Sequence, residues 1–242
     1  LEKVRGNEVS MVFQDPTTSL NPAFTVGEQI AEVLRTKQGM STKAAWAQAI
    51  KLISRVGIPN AAERAKSYPH ELSGGMAQRI AIARGLSCDP LLLIADEPTT
   101  ALDVTVQQGI LDLFRDLQDE FGMAILFITH DLAVAADICD RICVMYAGEI
   151  VEMASVDELF SNPRHPYTAG LLTAMPHASN RNPPLPTIKG TVPTPQLWPS
   201  GCRFAERCEY KQDICDQPVP LQNGGRLVRC LRADEIDLKE AQ

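Results

Sequence analysis

Nowhere does the sequence run to the roughly 18 consecutive apolar residues that a membrane-spanning helix requires. It also lacks a basic start followed by an apolar core, and it opens on Leu1 rather than Met. Neither secretion nor membrane spanning is therefore expected. Positive charge is scarce: 23 Lys and Arg stand against 30 Asp and Glu, a net charge of -7. No overall field draws a polyanion, and nucleic-acid binding is not expected. The seven cysteines are odd in number and include no C-x-x-C pair. Without a leader, that usage favours reduced thiols over a disulfide framework, with metal ligation open for any cluster of them. Internal repeats are absent. What is present is ordinary globular composition, 45% hydrophobic and 22% charged over 242 residues. That length suffices for one large domain, or a medium domain with an appendage.

Nine of the 17 prolines fall between residues 176 and 220, where helices and central strands are hard to sustain. A boundary is placed near Pro176, giving a core over residues 1–175 and an extension over 176–242. Upstream of it, Val9 to Phe13, Leu91 to Ala95 and Ala124 to Thr129 read as buried strands. Val106, Ile110, Leu113 and Leu117 form one apolar stripe behind a candidate N-cap at Asp103, which predicts a helix. Ala147-Gly148 between apolar segments predicts a hairpin turn within Val144 to Val151. Strands alternating with helices imply an α/β fold with parallel strands, whose ligands gather at the strands' carboxyl ends. A mainly helical insert, about residues 26–86, separates the first two strands.

Three places carry chemistry. The strand Leu91 to Ala95 runs into Asp96 and Glu97, so two carboxylates emerge where a parallel strand ends. One could hold a phosphate-bound Mg²⁺ and the other orient and deprotonate a water; the plain alternative is that both cap a turn. Leu72-Ser73-Gly74-Gly75 precedes a helical run through Met76, Ile80, Ala83 and Leu86. Its hydroxyl, free N–H groups and dipole make an anion cradle, although Ser-Gly-Gly alone reads as a flexible turn. His130 follows the third strand, where an imidazole can meet a terminal phosphate, and Asp131 is a candidate N-cap for a helix from Leu132; a lone histidine is otherwise a surface or satisfied group.

Phe13-Gln14-Asp15-Pro16, Leu72-Ser73-Gly74-Gly75, Asp96-Glu97-Pro98-Thr99, Ala101-Leu102-Asp103 and Thr129-His130-Asp131, in that order and spacing, resemble the ATP-binding subunits of ABC transporters. The resemblance implies a P-loop NTPase-type ABC ATPase core with ATP and Mg²⁺ as ligands. Under it Gln14 senses Mg²⁺, the attacking water and the membrane partner; Asp96 holds Mg²⁺; Glu97 is the catalytic base; and His130 meets the γ-phosphate. Ser73, Gly74, Gly75 and Gln78 would close over ATP held by a second ATPase subunit, identical or related, with Asp103 at the dimer interface. The segment from Gln14 through Asn21-Pro22 and the helical insert would receive a permease. The family's phosphate loop, G-x-x-x-x-G-K-[ST], has no match here. Its place would lie upstream of Leu1, so the chain is expected to be an amino-terminally truncated copy lacking that lobe.

Asn162-Pro163-Arg164-His165-Pro166-Tyr167-Thr168 looks like the H-P-Y-T segment of dipeptide and oligopeptide importers, whose ATPases carry a carboxyl-terminal extension. In that extension Cys202, Cys208, Cys215 and Cys230 could hold zinc or an iron–sulfur cluster, or remain free thiols. The spacing lacks paired knuckles, and the resemblance, since some peptide-importer ATPases carry a [4Fe-4S] cluster there, points towards iron–sulfur. Cys88, Cys139 and Cys143 are expected to be core thiols. The whole implies a peripheral ATPase on the cytoplasmic face of the cell (inner) membrane. It would drive import of peptides, or a related solute such as nickel, through transmembrane permease subunits served by an external solute-binding protein. Two rivals remain: a soluble ABC ATPase without a permease, and a non-catalytic fragment with a metal-binding tail.

Overall fold

The computed structural model of the chain describes residues 1, 3–100, 102–175, 187–223 and 226–238. They pack as two compact units, Leu1–Asp131 and Leu132–Gln242. The boundary expected near Pro176 lies outside the described residues, as does Ala101.

In the first unit β1 (Val9–Val12), β2 (Leu92–Asp96) and β3 (Ala124–Ile128) form a parallel sheet in that order. Val9 pairs with Leu92, and Asp96 with Ile128. Strands β1 and β3 lie where the apolar runs predict them, each ending one residue early, and β2 lies one residue further along than predicted. Parallel strands need long crossovers, and these are helical. Between β1 and β2 come α1 (Pro16–Ser19), α2 (Val26–Gln38), α3 (Thr42–Arg55), α4 (Ala61–Arg64) and α5 (Gly74–Gly85); α6 (Val104–Phe121) joins β2 to β3.

Local signals set the helix ends. Ser41, Ser73 and Asp103 each turn a side-chain oxygen onto the N–H three residues on, at 3.4, 3.4 and 2.9 Å. These bonds satisfy donors that the first turn leaves free. Gly39 ends α2 at φ 67°, a left-handed conformation that glycine adopts without steric cost. The apolar stripes bury Ile30 and Leu34 of α2, Ile53 of α3, Ile80 and Ile82 of α5, and Ile110, Phe114 and Leu117 of α6, all at 1% exposure or less. Two glycines permit close approach along α5. A Cβ on Gly85 would stand 3.3 Å from Val12 Cγ2, and one on Gly75 only 2.6 Å from Val106 Cγ1. The sheet's third strand is less well covered. None of the five residues of β3, Ala-Ile-Leu-Phe-Ile, is buried, and Leu126 is 51% exposed. Among the described residues no strand pairs with its outer edge.

The second unit comprises α7 (Leu132–Ile138), β4 (Arg141–Tyr146), β5 (Glu149–Ser155), α8 (Val156–Ser161), α9 (Pro166–Thr173), β6 (Gln222–Asn223) and β7 (Leu227–Val228). Its sheet is antiparallel in the order β4-β5-β7-β6. The predicted hairpin turn is there, with Ala147 at φ 46° and Gly148 at φ 80°. Two successive left-handed residues match the twist of the strands they join. Strand β4 alternates, burying Ile142, Val144 and Tyr146 and exposing the residues between them. Cys143 is one of those: the expectation of a core thiol fails there, because strand side chains alternate faces. Cys88 and Cys139 are half-buried.

The proline-rich extension is folded where described. It runs through short 3₁₀ turns at Pro195–Leu197, Ala205–Arg207 and Asp213–Asp216. Phe204 enters the hairpin's core and meets Tyr146 and Tyr167 with ring centroids 5.2 and 5.4 Å apart. Arg203 lies over Trp198 at 3.6 Å, a cation–π contact beside the turn at Gly148.

The contact of Gly75 with Val106 yields a stability prediction. Gly75→Ala is expected to destabilise the first unit by about 1–3 kcal/mol through overpacking, read by urea unfolding. Adding Val106→Ala should recover part of that loss, because residues in contact couple.

Candidate functional site

Because the three parallel strands end together, the residues that follow them meet at one edge. Gln14 lies two residues past β1, Glu97 one past β2, and His130 two past β3. The Glu97 N–H donates to the Ile128 carbonyl at 2.9 Å, extending the ladder by one bond. Glu97 then takes φ 44°, left-handed backbone unusual for a residue with a side chain. Its carboxylate thereby receives three partners. Gln14 Nε2 donates to Oε2 at 3.0 Å, Thr100 Oγ1 donates to the same oxygen at 2.8 Å, and His130 Nδ1 stands 3.3 Å from Oε1. The Thr100 hydroxyl first, and His130 second, hold the Glu97 carboxyl below the usual carboxylate range. Hydrogen bonds to the charged form favour it. Asp96 closes β2 as the last residue in register, opposite Ile128.

Sequence reasoning singles out Gln14, Asp96, Glu97 and His130 but passes over Thr100. Its signal is the three-residue offset from Glu97, the span of one turn that a hydroxyl bridges. The Thr129 hydroxyl accepts the Asp131 N–H at 3.0 Å, which fixes the turn that presents His130.

Ser73, Gly74 and Gly75 form a second cluster. Ser73 caps α5, and the helix N-terminus abuts Val106 and Leu102 at the start of α6, beside the cap Asp103. N–H groups and dipole at such an end favour an anion. Gln78, expected to share in ATP binding, is 1% exposed inside α5, and its amide nitrogen has no hydrogen-bond partner among the described residues.

A third group lies in the second unit. Cys202, Cys208, Cys215 and Cys230 border one cavity of about 20 Å³, with His165 and Phe204 in its wall. That volume admits about one water-sized sphere. Among the described residues no set of three or more Cys, His, Asp or Glu stands ready-made at metal-holding geometry. Burial pushes the Cys202 and Cys208 thiols up and Cys230 to about 11, so these are neutral thiols rather than reactive thiolates. His165 is 1% exposed and burial lowers it to about 4, a neutral imidazole.

The carboxylate cluster generates one prediction. Thr100→Val should raise the Glu97 carboxyl pKa towards its ordinary value, and Thr100→Ser should leave it low. A carboxyl ¹³C NMR titration of the chain reads both.

Comparison with known proteins shows the family. Residues 2–100 match the ABC transporter family, and residues 151–215 match the oligopeptide/dipeptide transporter C-terminal region. The oligopeptide transport ATP-binding protein AppD of Bacillus subtilis is 54% identical over 236 residues, covering 96% of this chain and 72% of AppD. A peptide import ATP-binding protein of Brucella melitensis biotype 1 is 53% identical over 245 residues, covering 98% of this chain and 72% of its own length. Among solved structures, the ATP-binding cassette MJ0796, a dimer in a post-hydrolysis state bound to ADP and Pi, aligns with a TM-score of 0.57 at 31% identity. That alignment covers 64% of this chain and 66% of MJ0796. The chain is a member of the ABC transporter ATP-binding family, in the branch marked by the oligopeptide/dipeptide transporter C-terminal region.

Proposed function

We propose that the chain is the ATP-hydrolysing subunit of an importer of dipeptides or oligopeptides. The observation that carries this is the meeting of Gln14, Glu97 and His130 at the carboxyl ends of three parallel strands, where open α/β sheets bind their ligands. MgATP is the substrate. Asp96 and Gln14 supply hard oxygen donors suited to its Mg²⁺. Glu97 accepts a proton from the attacking water; Gln14 and Thr100 hold its carboxylate in place, and His130 faces the γ-phosphate. Ser73 to Gly75 on one subunit would face the phosphates bound by a second, homologous or identical subunit, with Asp103 at that interface. The names of the relatives support peptides as the cargo. The segment from Gln14 through the helical insert is the proposed docking surface for the permease, which places the subunit peripherally on the cytoplasmic face of the membrane. No helix among the described residues is long and apolar enough to cross a membrane itself.

Residues 1–175 are proposed as ATPase core and 176–242 as the importer-type extension. The core lacks a G-x-x-x-x-G-K-[ST] cradle within its sequence. The open edge and unburied residues of β3 are where a further parallel strand would fit. The purified 242-residue chain is therefore expected to bind MgATP poorly and to hydrolyse it negligibly. A phosphate-release assay checks this, and robust turnover would refute it.

We further propose that the four cysteines of the extension hold a thiophilic metal group. The donor set suits an iron–sulfur cluster, which accepts four thiolates. The small cavity favours a second reading, a single tetrahedral zinc; a cluster would require the thiols to part. Iron, acid-labile sulfide and zinc measured in anaerobically purified protein decide between them. Sulfide with iron is the expected result, and protein with neither metal would sink the proposal.

A further inference from the structure

Cys202 and Cys215 are held against each other by their own backbones. The Cys202 N–H donates to the Cys215 carbonyl at 2.9 Å. A bond of this kind sets the two Cα atoms roughly 5–6 Å apart, inside the range of roughly 4.4–6.8 Å that a disulfide spans. Both residues border the same cavity of about 20 Å³, so their side chains converge on one small space.

Other contacts hold the approach in place. Gly201 precedes Cys202 where a Cβ would stand 2.3 Å from the Cys215 carbonyl oxygen, closer than a side chain permits. Ser200 Oγ donates to the carbonyl of Asp216, the residue after Cys215, at 3.5 Å. Lys211 clamps two turns together: its ammonium pairs with Glu206 at 2.6 Å in the turn Ala205–Arg207 and with Asp216 at 3.4 Å in the turn Asp213–Asp216. Among the described residues no backbone bond joins Cys208 or Cys230 to another cysteine. The two partners also differ in access. Cys215 lies in a turn whose neighbours Asp213, Ile214 and Asp216 are exposed, whereas Cys202 leads into the buried Phe204.

We propose that Cys202 and Cys215 form a dithiol oxidation site, which a peroxide closes to a reversible disulfide. The Cys215 sulfur, the more accessible, attacks a peroxide oxygen; the O–O bond breaks, a sulfenic acid forms and one water leaves. The Cys202 sulfur then attacks the sulfenic sulfur; the S–O bond breaks, and the hydroxyl leaves with the Cys202 thiol proton as a second water. Two thiols lose two electrons and two protons, and hydrogen peroxide is reduced to two waters. The new bond ties the exposed turn to the segment that carries Phe204 into the hairpin's core, and it removes two of the four thiols at the cavity. It stands apart from the metal proposal, because a bound metal would occupy these sulfurs; the oxidation belongs to the metal-free chain.

The test uses the purified full chain, freed of metal by a chelator and treated with hydrogen peroxide. Remaining thiols are blocked, and the unreduced peptides are mapped by mass spectrometry. The free-thiol count is expected to fall by two from seven and to return under dithiothreitol, with Cys202 joined to Cys215 of the same chain. Cys208→Ser and Cys230→Ser should form the same bond, and Cys202→Ser should leave a sulfenic acid on Cys215 that dimedone traps. In urea the preference should vanish, because loop closure there favours the shorter loops Cys202 to Cys208 and Cys208 to Cys215. A disulfide mapped chiefly to another pair or between chains, thiols lost only to sulfinic acid, no thiol lost at all, or the same preference in urea overturns the proposal. The mapping on wild type decides even where a variant fails to fold. Iron, sulfide and zinc in the untreated protein are read separately, so this proposal and the metal one fail independently.

Discussion

Everything at the candidate ATP site depends on the parallel register of β1, β2 and β3. Parallel pairing sends all three chains out of the sheet at the same edge, so residues 83 and 33 positions from Glu97 in sequence become its hydrogen-bonding neighbours. The strands contribute no proposed site residue except Asp96 at the end of β2. Their work is to fix where Gln14, Glu97 and His130 leave the sheet. A slip of one residue would turn each strand's side chains to the opposite face, and the burial of Val12, Leu93 and Ala95 against the helices opposes it. Apolar packing on one side of the sheet thus sets the geometry of polar groups at its end.

The backbone of Glu97 shows what that geometry demands. A glutamate at φ 44° is held against its intrinsic preference, and strained backbone persists where surrounding structure over-determines it. The ladder bond to Ile128, the short turn to Thr100 and the side chain of Gln14 together supply that determination. The carboxylate is consequently gripped rather than free, and the same contacts favour its charged form.

In the second unit a different constraint governs. Glu152 has no access to water, and satisfying its oxygens ties the H-P-Y-T turn and the residues around Arg226 to β5. A buried ion pair is weak evidence of added stability; at Glu152 its visible effect is to fix which segments meet β5. Here the defined arrangement is an extension rich in proline that folds without long helices or strands. Aromatic contacts of Phe204 and the cation–π contact of Arg203 with Trp198 close it over the hairpin.

The sequence by itself determined the three parallel strands, the helix cap at Asp103, the helix start at Ser73-Gly74-Gly75, the hairpin at Ala147-Gly148 and the choice of Gln14, Asp96, Glu97 and His130 as candidates. Those features are local: periodicity, capping chemistry and motif spacing act over a few residues, so they can be read in one dimension. Only the tertiary structure decided that Thr100 joins the Glu97 cluster, that Gln78 is buried inside α5, that Cys143 faces outward, that Glu152 is buried, and that His165 lines the cavity the four cysteines border. Each of these depends on which face packs or on partners tens of residues away. A buried carboxylate reads in sequence like any surface one, because its desolvation and its partners exist only once the chain has folded.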